Sequence, residues 1–201
     1  MTNFVRWGFV LRVVTIATCV AACALGAAAQ GSGAGTATKK EQAIPTSTFA
    51  LWSSAFEADQ DIPAKYSCSG ENVSPALTWK GAPDGTQAYA IVVDDPDNPK
   101  KVIVHWVVYN IPAATNSFSE GVPDKAKLPD GSQQGRNEDG KTGWRGPCPP
   151  AGPAHHYFFK IYALDAQLRL KQKSTAAQVE AAMRGHILGQ AQLIGRYQTP
   201  R

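Results

Sequence analysis

The segment 94–109, with the sequence DDPDNPKKVIVHWVVY, constrains the fold more than any other part of the chain. Two prolines stiffen the turn that holds Asp95 and Asp97, because each fixes its own φ and restricts the residue before it. Residues 102–109 are β-branched or aromatic on both faces, which predicts a central strand covered on both sides. Only His105 is polar in this run, and a buried imidazole needs a partner. A tight hairpin would leave Asp95 roughly 13 Å from the residue that faces His105, so a folded-back loop or another strand must supply the contact.

Short apolar runs separated by turn residues make up most of the remaining chain. Strands are predicted at 46–53, 77–79, 89–93, 102–109 and 154–164. Thr175 and Gln178 form a capping-box pattern, and apolar residues at helical spacing continue to Ile187, which predicts a C-terminal helix that includes His186. The segment 113–141 is long and polar, as functional or disordered loops are. Together these elements predict a mainly β protein, an antiparallel β-sandwich with a C-terminal helix.

Residues 1–29 have the features of an export signal: a basic start, an apolar run and then small residues. The apolar run is shorter than the about 20 residues that a membrane-spanning helix needs. Cleavage after Ala29 would follow an ordinary small-residue site. Cleavage after Ala22 would follow a lipoprotein signal and leave Cys23 lipid-modified at the new N-terminus. The sequence therefore predicts a periplasmic or secreted protein, held at the membrane if Cys23 carries a lipid.

Residues 30–44 are rich in Gly, Ser, Thr and Ala and predict a flexible linker, which leaves 45–201 as one folded domain. The chain has 20 Lys and Arg against 16 Asp and Glu, and loss of Arg6 and Arg12 with the signal lowers the basic count to 18. A mature charge near +2 does not predict a nucleic-acid partner.

Two of the four cysteines, Cys68 and Cys148, lie in the folded domain. An oxidising compartment would allow them to pair. The sequence does not give their separation, so a disulfide and two free buried thiols both remain open.

No sequence motif in the chain predicts catalysis: there is no G-x-S-x-G, no H-E-x-x-H, no phosphate-binding loop and no dinucleotide glycine pattern. We therefore predict neither an enzymatic activity nor a cofactor. Polar residues instead collect at the ends of apolar strands: Asp95, Asp97, His105, His155, His156 and Tyr157, with the backbone around Gly146. Imidazole, tyrosyl and free backbone N–H groups that converge would bind phosphate-like oxygens. The carboxylates would orient a histidine or receive an ammonium group, so a phosphoethanolamine-like ligand suits both signs of charge.

Two other interpretations of the same residues stay open. The aspartates can simply cap the turn while the paired histidines face solvent. His105, His155 and the aspartates could also hold zinc in a hydrolase, although no pair of metal ligands lies on one helix. For the anion pocket we expect affinity to fall as pH rises through the titration of His105 and His155, with Asp95 raising the histidine pKa.

Several stretches together resemble one known family. They are KYSCSGENVSPALTW, DDPDNP followed by VHWVVYNIP, GRNEDGKTGWRGPCPPAGPAHHYFFKIYALD, and AAMRGHILGQAQLIGRY. Over residues 49–197 the chain resembles the phosphatidylethanolamine-binding proteins, also called Raf kinase inhibitor-like proteins, and is most similar to their bacterial branch. The resemblance covers nearly the whole predicted domain.

The resemblance implies two packed antiparallel sheets with a small anion pocket at one end. The implied ligand-binding residues are Asp95, Asp97, His105, Gly146, Pro147, His155 and Tyr157. His156 stands where many members carry arginine, so a role of that permanent charge does not carry over. Animal members bind phospholipid head groups and restrain kinases or serine proteases. The expected function is thus a non-catalytic, anion-binding domain, and the alternative is a protease or kinase inhibitor that uses a loop surface such as 113–145.

Overall fold

The structure is a computed structural model that describes residues 48–200. It contains eight strands, one α-helix and a short 3-10 turn. Their bounds are β1 Ala50–Trp52, the 3-10 turn Ala64–Tyr66, β2 Leu77–Lys80, β3 Ala88–Asp95, β4 Ile103–Pro112, β5 Ser117–Phe118, β6 Gln133–Gln134, β7 His155–Leu164, α1 Ala176–Met183 and β8 Ile187–Tyr197. The predicted mainly β, antiparallel fold is confirmed. The predicted signal, Cys23 and the linker up to residue 44 lie outside the described residues.

The strands form two antiparallel sheets that pack on each other. One sheet has three strands in the order β1-β2-β5, and the other has five in the order β6-β4-β3-β7-β8. Strand β3 is central in the larger sheet and all of its residues are buried. Because β3 and β7 are antiparallel, the end of β3 and the start of β7 meet at one edge of the sheet, where β4 also begins.

The larger sheet is covered on both faces, as the apolar sequence of its central strands requires. In β3, Ile91 and Val93 face the smaller sheet, whereas Ala90 and Val92 face a second cluster that includes Val179 of α1. The helix starts where the sequence predicts, at a Thr175 cap with the reciprocal Gln178 bond. The prediction that the His105 strand is buried on both sides is therefore confirmed.

The predicted extent of the C-terminal helix is wrong. The helix ends at Met183, and Gly185 has a φ of +82° in the turn that follows, a conformation that glycine adopts without strain. Residues Ile187–Tyr197 then form β8, which pairs with β7 along its whole length. His186 lies between helix and strand, where its Nδ1 is 2.8 Å from Asp165 Oδ1.

The long polar segment 113–141 is tied to both sheets. Strand β5 pairs with β2, and β6 pairs with β4. The buried Gln134 side chain accepts a bond from Trp106 Nε1 at 2.6 Å and donates to the carbonyls of Pro123 and Lys125 at 2.7 and 2.8 Å. Within residues 48–200 no helix is long and apolar enough to cross a membrane.

Candidate ligand site

The strand ends at the shared edge bring together four of the residues that the sequence singled out: Asp95, His105, His155 and Tyr157. All four are buried, with exposed fractions of 3%, 1%, 8% and 0%. Asp95 ends β3, His155 begins β7, and Tyr157 follows two residues later on the same face. The cluster therefore sits at the rim of the core between the two sheets.

His105 reaches this cluster because β4 contains a β-bulge. Val93 pairs with Trp106 and Asp94 with Val104, so His105 is the extra residue between two pairs. A bulge breaks the alternation of side chains. His105 consequently contacts Tyr157 on the core side, with ring centroids 5.0 Å apart and the rings nearly perpendicular. The residues on either side of His105 in the sequence are both apolar, and they give no sign of this β-bulge.

The hairpin between β3 and β4 is wider than the tight turn assumed from the sequence. Asp95 pairs with Ile103, two residues from His105, and the loop 96–102 closes the hairpin. Asp95 nevertheless does not bond to His105. Its Oδ2 accepts a hydrogen bond from His155 Nδ1 at 2.8 Å, and its Oδ1 accepts the backbone N–H of Asp97 at 2.8 Å.

The partner of His105 is a residue that the sequence did not point to. His105 Nδ1 lies 2.6 Å from the carbonyl oxygen of Arg145, and the Arg145 N–H donates to the His105 carbonyl at 3.0 Å. The Arg145 guanidinium is bonded to Asp139 at 3.0 Å. The GWRG sequence put Arg145 next to the predicted wall residue Gly146, but nothing in it indicated that a main-chain carbonyl would hold the imidazole.

The electrostatics of His105 contradict the expectation of a protonated, anion-binding imidazole at neutral pH. Burial lowers the pKa of His105 to about 4, and the raising effect of the Arg145 carbonyl and of Asp95 is smaller. Asp95 acts in the predicted direction but burial outweighs it. Burial likewise raises the pKa of the Tyr157 hydroxyl, which therefore stays protonated.

Two polar atoms in the cluster lack a hydrogen bond to any described residue: His105 Nε2 and Tyr157 Oη. Buried polar atoms are satisfied in the great majority of cases, and an unmet one costs about 1–3 kcal/mol. Both atoms belong to rings that contact each other. The cluster thus holds two buried polar atoms whose hydrogen-bonding capacity no described residue uses.

Asp97 and His156 form a separate, more exposed pair. Asp97 Oδ2 accepts from His156 Nδ1 at 2.6 Å and from the His156 backbone N–H at 2.9 Å. The hydrogen bond from His156 lowers the pKa of Asp97. The Asp97 side chain is 40% exposed, so the structure does not bring Asp97 into the buried cluster.

The predicted wall residues Gly146 and Pro147 are bonded through their backbone to the loop that contains Cys68 and Asn72. The Gly146 N–H donates to Asn72 Oδ1 at 2.7 Å and is not free for an anion, contrary to the expectation from the sequence. The Pro147 carbonyl accepts the Cys68 N–H at 3.0 Å. A disulfide between Cys68 and Cys148, with Cα atoms 5.5 Å apart, holds the same two loops together.

A metal site has no support in this part of the chain. Among residues 48–200 no three His, Cys, Asp or Glu side chains lie close enough together to hold a metal ion. The polar contacts of the cluster are instead made between His155 and Asp95 and between His105 and a carbonyl.

Known proteins resemble this chain in both sequence and fold. Residues 52–198 match the family profile described as phosphatidylethanolamine-binding protein. The UPF0098 protein of Methanothermobacter thermautotrophicus is 50% identical over 143 residues, which cover 71% of this chain and 94% of that protein. The UPF0098 protein of Aquifex aeolicus is 41% identical over 151 residues, with 73% and 86% of the two chains covered.

Two solved structures share the architecture. One is a putative phosphatidylethanolamine-binding protein homologue from Chlamydia trachomatis, with a TM-score of 0.69, 34% identity and 77% of this chain and 100% of that chain covered. The other is an E. coli protein described as a new member of the mammalian family, with a TM-score of 0.71, 34% identity and coverages of 76% and 99%. Because the family profile spans most of the described residues and the relatives agree with it, the chain belongs to the phosphatidylethanolamine-binding protein family.

Proposed function

We propose that this chain is an exported, non-catalytic binding domain that holds a small phosphate-bearing ligand at the rim of its larger sheet. The observation that carries the proposal is the pair of unsatisfied buried atoms, His105 Nε2 and Tyr157 Oη, in contacting rings. A ligand that bonds both would remove a cost of about 1–3 kcal/mol for each atom. The family description, which names phosphatidylethanolamine, supports a phosphate-bearing head group as the ligand class.

The cluster suits binding better than catalysis. Asp95 accepts from both His155 Nδ1 and the Asp97 backbone N–H, which makes this carboxylate a positioning group. Burial lowers the pKa of His105 to about 4, which makes it a weak base near neutral pH. The His105 ring is fixed by the Arg145 carbonyl and by its contact with Tyr157. Rigid, preorganised polar groups in a buried setting select a ligand by shape and hydrogen bonding.

Thermal unfolding tests the binding proposal. Phosphoethanolamine at 100 times its Kd is expected to stabilise the protein by about 2.7 kcal/mol and to raise its Tm. The Tyr157→Phe variant should lose most of this protection, whereas Tyr162→Phe, which alters a half-buried tyrosine that lines a different surface groove, should keep it. The proposal is wrong if phosphoethanolamine leaves the wild-type Tm unchanged or protects Tyr157→Phe equally.

Export rests on the N-terminal sequence and on the disulfide. Residues 1–29 have the features of a signal, and a Cys68–Cys148 disulfide suits an oxidising compartment outside the cytoplasm. Mass spectrometry of the mature protein should find no residue before Cys23. A first residue at Gln30 would eliminate the lipid anchor alone, and intact protein from Met1 in the cytoplasm would eliminate export.

A further inference from the structure

A cavity of about 470 Å³ lies beside the start of α1 and shares no residue with the proposed ligand site at the rim. Cavities of this size hold small molecules. Four basic side chains line its wall and no acidic side chain does, although the whole chain has 16 Asp and Glu against 20 Lys and Arg. We call it the basic cavity, after Arg136, Arg169, Lys171 and Lys173.

Apolar side chains anchor the wall segment 168–173 while its charges stay at the surface. Leu168 is buried in the second core cluster, and Leu170 packs against that cluster. The three basic residues of the segment are all exposed. The segment therefore presents its positive charges to solvent from a base that is fixed to the core.

Polar side chains, chiefly from the end of β4, hold the main chain of the same segment. Asn110 bonds to both sides of Leu168, because it accepts the Leu168 N–H at 2.7 Å and donates to the Leu168 carbonyl at 2.9 Å. The Lys171 carbonyl accepts from Tyr109 Oη at 2.6 Å and from Ser174 Oγ at 2.7 Å. Groups that are held in place before a ligand arrives lose less entropy on binding, so these bonds preorganise the wall.

Arg136 belongs to a second chain segment of the wall. Its backbone N–H donates to the Ser174 carbonyl at 2.9 Å, which ties the segment after β6 to the start of α1. Thr175 and Gln178 line the cavity on the helix side. The basic cavity is thus surrounded by three connected pieces of the fold, two of which supply cations.

None of the four cations forms an ion pair with another of residues 48–200. Other basic side chains in this range do, namely Lys65, Lys101, Arg145, Lys160 and Arg196. Charges of one sign that share a cleft repel one another and concentrate anions from solution. A ligand with several negative charges would relieve that repulsion.

The rest of the wall distinguishes between classes of anion. No aromatic residue of the described chain lines the cavity, so the bases of a single-stranded nucleic acid have no ring on which to stack. The exposed large apolar side chains also lie outside it, so this surface has no exposed apolar anchor for a bilayer. These features favour a small soluble anion.

We propose that the basic cavity binds a small soluble polyanion with two or more linked phosphate groups. Linked phosphates place several negative charges within a space of this size. A guanidinium group can bond two phosphate oxygens at once, and each lysine adds a positive point charge. The proposal does not depend on the proposed ligand site at the rim, and either can fail without the other.

Calorimetric titration of tripolyphosphate at pH 7 and low salt tests the proposal. Tripolyphosphate should bind about tenfold more tightly than orthophosphate, because several charge-assisted contacts form at once. The Arg169→Gln, Lys171→Gln double variant should bind tripolyphosphate about tenfold more weakly, since two such contacts are lost. Lys125→Gln, Lys127→Gln is the matched control, because it removes the same charge from exposed positions elsewhere, and its affinity should stay within about twofold of the wild type.

Several outcomes would overturn the proposal. Absence of tripolyphosphate binding would do so, as would equal binding of orthophosphate. Equal losses in the two double variants would mean that tripolyphosphate responds to net charge alone. Tyr157→Phe should leave the binding unchanged, and a loss there would assign the anion to the rim instead.

A single-stranded oligonucleotide and phosphatidylglycerol vesicles complete the comparison. Both should bind more weakly than tripolyphosphate. Tighter binding of either, with sensitivity to the Arg169→Gln, Lys171→Gln change, would contradict a small soluble ligand.

Discussion

His155 Nδ1 lies 2.8 Å from Asp95 Oδ2, and this bond joins the start of β7 to the end of β3 at the rim of the core. Both side chains are buried, with 11% and 4% of their surfaces exposed. A buried carboxylate that also accepts a backbone N–H, here that of Asp97, fixes the orientation of the imidazole. The pair is therefore a structural support of the proposed ligand site.

Replacement of Asp95 by Asn should lower the free energy of unfolding by about 1–3 kcal/mol, because the buried His155 loses its charged acceptor. Urea unfolding at pH 7 measures this loss. Asp97→Asn is the matched control, since its bond to His156 is about half exposed and worth at most about 1 kcal/mol. A larger loss for Asp97→Asn than for Asp95→Asn would contradict the assigned roles.

The Asp95→Asn variant should also bind phosphoethanolamine less tightly, although a negative charge has been removed from the proposed anion site. Simple repulsion predicts the opposite sign. Loss of the Asp95 bond frees the His155 ring beside Tyr157, so orientation at the site is lost. Calorimetry at pH 6 distinguishes the two accounts, and equal or tighter binding would remove Asp95 from the site.

The sequence was sufficient to place Asp95, His155 and Tyr157, because each lies at the end of a strongly apolar strand and strand ends meet at a sheet edge. It also named His105, but it did not predict the irregularity that turns this side chain toward the cluster. The β-bulge that turns His105 toward the core depends on pairing between β3 and β4, which no local pattern specifies. The sequence also cannot show that the Arg145 carbonyl bonds to His105, because every residue has a main-chain carbonyl.

In the C-terminal region, too, the local sequence pattern was not sufficient to predict the fold. Ala176, Val179 and Met183 have helical spacing and do form a helix, and Ile187 continues the spacing by coincidence. Pairing with β7 decides the structure from Ile187 onward. In this region long-range strand pairing outweighs local periodicity.

Stability should fall as the solution is acidified, in part because of His105. Its pKa in the folded protein is about 4, below the usual 6.5, so the fold favours the neutral ring. This contribution is complete above pH 6.5 and is lost as pH falls toward 4, by about 3 kcal/mol in total. Urea unfolding between pH 7 and pH 4 should show a shallower decline in His105→Gln than in the wild type.

His186→Gln is the control for that pH profile, because His186 forms an exposed pair with Asp165. Its profile should follow the wild type. An unchanged decline in His105→Gln would mean that the imidazole of His105 is not buried in its neutral form.

Reduction of the Cys68–Cys148 disulfide should destabilise the domain by about 2–4 kcal/mol, since the bond closes a sequence separation of 80 residues. Guanidinium unfolding with and without a thiol reductant measures the change. A Cys68→Ser, Cys148→Ser double variant should match the reduced wild type and show no further response to reductant. Equal stability of oxidised and reduced wild type would contradict the prediction.

Gly146→Ala should be strongly destabilising, because an added Cβ would lie 2.4 Å from the Tyr66 carbonyl and 2.6 Å from Asn72 Oδ1. Overpacking of this kind costs about 1–3 kcal/mol. Gly152→Ala is the matched control, since its Cβ would meet nothing closer than 3.9 Å and should change stability by less than about 0.5 kcal/mol. Thermal unfolding compares the two, and equal effects would refute the packing argument.

The most direct measurement of the central claim is a crystal structure of the protein grown or soaked with phosphoethanolamine near pH 6. The phosphoryl group should lie within hydrogen-bond distance of both His105 Nε2 and Tyr157 Oη, next to the Asp95–His155 pair. A basic surface lined by Arg136, Arg169, Lys171 and Lys173 provides the natural competitor for an anion. Phosphoethanolamine bound only on that surface, with His105 Nε2 and Tyr157 Oη still unbonded to it, would contradict the account.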